Sequence, residues 1–75
     1  MKMEELLDLI EVQLGKKRVR ASDHFINDLQ AESLDMVHLA SAIEDRFGIM
    51  VPEKILAQAK TVQELFDFLT TQTTA

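Results

Sequence analysis

Residues 28–51 read Asp28-Leu29-Gln30-Ala31-Glu32-Ser33-Leu34-Asp35-Met36-Val37-His38-Leu39-Ala40-Ser41-Ala42-Ile43-Glu44-Asp45-Arg46-Phe47-Gly48-Ile49-Met50-Val51. Met36, Leu39, Ala40, Ile43 and Phe47 recur in steps of three and four, which puts them on one face of an α-helix. The helix is expected from Ser33 to Phe47, with Gly48 stopping it. The core stripe leaves out Leu34 and Val37, which share a second face with Ser41, close to His38, Glu44 and Asp45. An apolar strip rimmed by acids suits a basic or amphipathic partner. Equally, Leu34 or Val37 could pack beneath the preceding loop, since scattered exposed apolar residues are normal.

Upstream, Met3, Leu6, Leu7, Ile10 and Leu14 repeat at helical spacing and predict a first helix over Met3 to Leu14. Glu4 and Glu5 lie where its dipole favours anions, and Gly15 suits a left-handed cap. Lys16 to about Glu32 then forms a long connection rich in turn residues, with Phe25, Ile26 and Leu29 spaced to pin it to a core. Downstream, Pro52 suits the first turn of a short helix running to Ala59. Thr61-Val62-Gln63-Glu64 reads as a capping box opening a last helix, Val62 to about Leu69. The tail over about 70–75 is expected to fray. No segment alternates with period two. The fold class is therefore all-α: one domain over residues 1–75, a four-helix bundle with three main helices and one short one.

Composition narrows the function. Seventy-five residues make a single small domain, and a net charge of −5 disfavours phosphate-rich nucleic acid. The cluster Lys16, Lys17, Arg18 and Arg20 is too short to reverse that. There is no cysteine, hence no disulfide, thiol nucleophile or thiolate ligand. His24 and His38 are too few for a metal centre, and the acids lack calcium-loop spacing. No apolar run reaches membrane-spanning length and no signal peptide precedes the domain, so a soluble cytoplasmic protein is expected. No pair of Asp, Glu or His residues forms a catalytic arrangement, and His38 reads as a solvated helix residue. The chain is not expected to be an enzyme.

Ser33 stands out by position. A hydroxyl at a helix start is most often an N-cap. The same place offers unpaired amides and a favourable dipole to a phosphate ester.

With these residues in view, the chain resembles the acyl carrier proteins and, more broadly, the phosphopantetheine-carrying domains, over nearly its full length. The resemblance lies in Asp28-Leu29-x-Ala31-Glu32-Ser33-Leu34-Asp35, in Ile43-Glu44-Asp45-x-Phe47-Gly48-Ile49, in Val51-Pro52 and in the Thr61-Val62 helix start. It implies that Ser33 accepts 4′-phosphopantetheine from coenzyme A through a separate phosphopantetheinyl transferase. The arm would supply the thiol that the chain lacks. Partners would be acyl-loading, synthase or acyltransferase enzymes with basic docking patches, meeting Leu34, Asp35, Val37, Ser41, Glu44 and Asp45 of a monomer. Met36, Ala40, Ile43, Ile49, Ile55, Leu56, Ala59 and Phe66 would line an acyl cavity, or else serve as ordinary core.

The implied function is a stand-alone carrier of acyl thioesters for fatty-acid, polyketide or related specialised lipid synthesis. An aminoacyl or peptidyl carrier, or an unmodified helical adaptor, are the alternatives. Several positions depart from the family pattern. Glu32 replaces the usual aspartate and Gln30 a usual glycine. Arg46 stands at a commonly acidic site, and Ser41 where a larger apolar residue is common. The early loop is also more basic than usual. These departures fit a specialised carrier with its own partners, and they fit ordinary drift as well.

Overall fold

A computed structural model describes residues 1–72, excluding the side chain of Gln72. Four helices follow in order: α1 (Met3–Leu14), α2 (Ser33–Phe47), α3 (Glu53–Gln58) and α4 (Val62–Gln72). Among the described residues the only extended pairing is an isolated antiparallel bridge between His24 and Thr61. The all-α, four-helix reading is the observed fold. α1 packs on α2 and α4, and the short α3 bridges α2 and α4.

Local chemistry fixes the helix ends. Gly15 and Gly48 take φ of 66° and 69°, the left-handed region that a side chain penalises. The Gly48 amide donates to the Glu44 carbonyl at 2.8 Å, closing α2. At α4 the capping box is present: the Glu64 amide donates to Thr61 Oγ1 and the Thr61 amide to Glu64 Oε1, both at 3.2 Å. Pro52 sits one residue earlier than expected, as the extended N-cap of α3 (ψ 148°), and Ala59 lies just past that helix. α4 runs on to Gln72, beyond the expected end at Leu69. There the Thr70 and Thr71 hydroxyls donate back to the Phe66 and Asp67 carbonyls at 2.9 and 2.7 Å. The rest of the expected frayed tail, residues 73–75, lies outside the described residues.

The core is wholly apolar. Leu6, Leu9 and Ile10 of α1 meet Leu39 and Ile43 of α2, with Ile55, Val62, Leu65 and Leu69 from the second half. Leu9 was not in the expected stripe, whereas Met3, Leu7 and Leu14 are only half-buried. Burial of each large side chain is worth about 1.5–3 kcal/mol, so these few residues carry most of the stability of so small a domain.

The long connection is tied down despite lacking a helix. Val19, Phe25 and Leu29 are buried, but Ile26 turns outward and is 67% exposed, contrary to its expected role as a pin. Val19, unremarked in the sequence, replaces it. Its amide donates to the part-buried Glu11 carboxylate at 3.0 Å. Three backbone bonds clasp this segment to the start of α4: Phe25 N to Lys60 O (2.9 Å), Val62 N to Asp23 O (3.1 Å) and Gln63 N to Ala21 O (2.8 Å).

Within the connection, the His24 amide donates to Asp28 Oδ2 at 2.7 Å. His24 Nδ1 accepts from the amides of Ile26 and Asn27 at 3.2 Å. This reciprocal arrangement does for the loop what a capping box does for a helix, giving its amides side-chain partners.

Candidate functional site

The clasp delivers the chain to the first turn of α2. Ala31 donates its amide to the Phe25 carbonyl at 2.7 Å, closing the loop. Gln30 takes φ 54° to do so. That is the left-handed conformation a glycine adopts without penalty and an L side chain at a cost of about 1–2 kcal/mol. The departure from glycine noted in the sequence is therefore a strained position.

Glu32, not Ser33, is the extended N-cap of α2. The Asp35 carboxylate returns to the Glu32 amide at 2.9 Å. Ser33 is thus the first helical residue rather than the cap. Its side chain is exposed, and Oγ makes no hydrogen bond among the described residues. The N-cap expectation for Ser33 is overturned, because the neighbouring acid already occupies that position. A serine relieved of capping presents a free hydroxyl to solvent.

Beside Ser33 runs an open groove of about 590 Å³, lined by Ile26, Ala31, Glu32, Ser33, Met36, Val37, Glu53, Leu56 and Ala57. It adjoins a second, half-open pocket of about 190 Å³, lined by His24, Phe25, Ile26, Met36, Leu56, Ala57, Ala59 and Lys60. Ile26, Met36, Leu56 and Ala57 belong to both, so the two spaces meet between the loop, α2 and α3.

Of the residues expected to line a cavity, Met36, Leu56 and Ala59 come together there. Ile43, Ile49 and Ile55 are buried in the core, and Ala40 and Phe66 are half-buried; none of these five lines either space. Ile26, Ala57 and His24 were missed. Their side chains carry no periodic signal, since the loop places two of them and a short exposed helical face the third.

The second face of α2 is open. Leu34 and Val37 are 63% and 49% exposed, so they do not pack beneath the loop. Ser41, Glu44 and Asp45 are exposed with them, as is His38. Asp35 differs from the other acids, being half-buried with its carboxylate engaged by Glu32. Arg46 stacks on Phe47 at 5.6 Å and sits in the last turn of α2, where a cation complements the helix dipole. No group of three or more potential metal ligands occurs among the described residues, and no helix there is long and apolar enough to cross a membrane.

Ser33 thus combines a free hydroxyl at a helix start with an adjoining apolar groove in a cysteine-free helical bundle. Comparison with known proteins shows the family. The family described as the phosphopantetheine attachment site matches residues 4–69. An acyl carrier protein of Bdellovibrio bacteriovorus is 41% identical over 64 residues, covering 83% of this chain and 82% of its own. One from Guillardia theta is 38% identical over 74 residues, covering 96% and 91%. A solved chain from Mycobacterium tuberculosis, described as an acyl carrier protein, shares the fold with a TM-score of 0.84 at 24% identity over 93% of this chain and 96% of that one.

The chain belongs to the acyl carrier protein family. Its members are carriers rather than enzymes, bear covalently attached 4′-phosphopantetheine and work with synthase and transferase partners. The exposed, unbonded Ser33 hydroxyl at the mouth of an apolar groove fits such a group. When bound, the arm supplies the thiol on which acyl groups ride as thioesters.

Proposed function

We propose that Ser33 is the attachment residue and that this chain serves as a stand-alone cytoplasmic, monomeric acyl carrier in fatty-acid, polyketide or related lipid synthesis. The observation that carries the reading is the release of Ser33 from capping by Glu32 and Asp35. In the attachment step Ser33 Oγ bonds to the phosphorus of the pantetheine half of coenzyme A. The diphosphate link breaks, adenosine bisphosphate leaves, and the hydroxyl proton passes to a base on the transferase. The chain's own contribution is to hold Oγ exposed on a fixed helical turn.

Leu34, Val37 and Ser41 form the centre of the partner contact, and Glu44 and Asp45 supply its charge. Asp35 acts first as the brace of the attachment turn. Met36, Leu56 and Ala59 shelter the acyl chain. Contacts through exposed charges weaken with salt, since screening sets in within about 8 Å at physiological ionic strength.

The test is intact-protein mass spectrometry after incubation with coenzyme A, magnesium and a broad-specificity phosphopantetheinyl transferase. The native chain should gain one phosphopantetheine and Ser33→Ala none. A gain on the alanine variant, or none on the native chain, would remove Ser33 from this role.

A further inference from the structure

Residues 16–20 carry four cations, Lys16, Lys17, Arg18 and Arg20, in a chain of net charge −5. The dipole of α1 accounts for little of this run. α1 has no basic residue in its last turn, and only Lys16 follows its Gly15 cap directly. None of the four side chains makes an ion pair or hydrogen bond among the described residues. The acids that flank the run in sequence are engaged by backbone instead. Glu11 Oε2 accepts from the Val19 amide at 3.0 Å, and Asp23 Oδ2 from the Arg20 amide at 2.8 Å. The Lys16 amide donates to the Glu11 carbonyl at 3.1 Å, and Val19 is buried. The backbone is therefore held on both sides of Arg18, while Lys17, Arg18 and Arg20 stay exposed and Lys16 half-buried. Arg18 itself takes φ 58°, a conformation glycine adopts freely and a side chain only at a cost. The turn needs that conformation, not the charge. Unpaired cations on a fixed backbone, one of them strained, make a prepared contact.

We propose that residues 16–20 form a docking site for a short acidic segment of a partner protein. Val12, 76% exposed in the last turn of α1 just ahead of the run, offers it an apolar contact. Charge complementarity sets the sign of the occupant, and scale sets its size. The four cations span at most about 14 Å of chain. The whole molecule measures 32 × 23 × 21 Å and is acidic, with Glu44 and Asp45 exposed on α2. Screening confines attraction to about 8 Å at physiological ionic strength. A compact acidic segment meets the cations within that range. A broad anionic surface, such as a bilayer or a second copy of this chain, sets its charge against the remaining acids as well. None of these residues lines the groove beside Ser33, and the site is independent of the role of that serine.

The experiment titrates the native chain at low salt with a hexaglutamate peptide, and with hexaglutamine as the control, following backbone amides by NMR. Hexaglutamate should move the amides of Lys17, Arg18 and Arg20 to saturation and leave Ser33 in place, while hexaglutamine moves none. The effect should largely vanish at about 0.15 M salt. Reversing two charges, with Lys17→Glu and Arg18→Glu together, should weaken binding about tenfold. Arg18→Gly separates recognition from folding. It relieves the left-handed strain, so the thermal midpoint should rise by a few degrees while the peptide binds about two- to fivefold more weakly.

Equal binding by the native chain and the charge-reversed variant overturns the proposal. So does a lower midpoint with unchanged binding in Arg18→Gly, because Arg18 would then serve the fold alone. If hexaglutamate is inert the proposal also fails. Phosphatidylglycerol vesicles and sedimentation of the free chain then show whether a membrane or a second copy takes the site instead. The carrier reading stands under each of these outcomes.

Discussion

Two segments wall the groove beside Ser33, and they are built in opposite ways. The connection over residues 16–32 has no helix, yet it buries Val19, Phe25 and Leu29, gives amides to Glu11, His24, Asp28 and Lys60, and accepts at its carbonyls from the first amides of α4. Facing it, α3 is regular, yet it is six residues long, buries only Ile55 and has no side-chain cap. Helices this short are marginal on their own, because nucleation costs more than a few hydrogen bonds return. Regularity and rigidity are thus separate properties. The irregular wall is the anchored one, and the helical wall has the fewer anchors.

The strongest way to break that contrast is Phe25→Ala. Emptying a fully buried aromatic site should cost about 3–5 kcal/mol, most of the stability expected of a domain of this length. Urea unfolding measures it; a loss below about 1 kcal/mol would mean that the loop is not anchored. His24→Ala removes the acceptor of two loop amides and should cost about 1–2 kcal/mol. In the same unfolding assay, an unchanged midpoint would show those bonds to be incidental.

Gln30→Gly relieves the left-handed φ and should stabilise by about 0.5–1 kcal/mol, raising the thermal midpoint by several degrees. A fall instead would mean that the Gln30 side chain contributes more than its strain costs. Smallest is Ala57→Gly on the exposed face of α3, at less than about 1 kcal/mol. Hydrogen exchange should nevertheless accelerate at Leu56 and Ala59 while leaving Phe25 and Ala31 unchanged. Acceleration in both walls would show that they open as one unit.

How much of this was legible depended on range. The helices, the Gly15 and Gly48 stops and the Thr61–Glu64 box are local patterns, and they appear where the periodicity and capping residues put them, apart from the ends of α3 and the longer run of α4. Ser33 was legible as a position and became specific through the family resemblance. Its release from capping was hidden, because Glu32 and Ser33 are both plausible starts and only backbone geometry separates them. Ile26 turned outward and the unremarked Val19 inward for a similar reason: an irregular segment has no period that assigns faces. The clasp to α4 was invisible, since backbone hydrogen bonds leave no mark on side-chain identity. With it went the placing of His24 in a cavity wall.

That clasp also bears on how the molecule assembles. Asp23 and Val62 are bonded although about 40 positions separate them, so the chain must close a large loop before the contact repays its entropy. α1 and α2 can form from local interactions while the clasp is still open. The segment from 21 to 25, from which the Phe25 carbonyl holds the Ala31 amide before α2, is itself fixed against the rest of the fold only when it meets α4. Final placement of the loop that leads into Ser33 is therefore expected among the last events of folding, and on the proposed role of Ser33 a chain not yet fully folded would go uncharged.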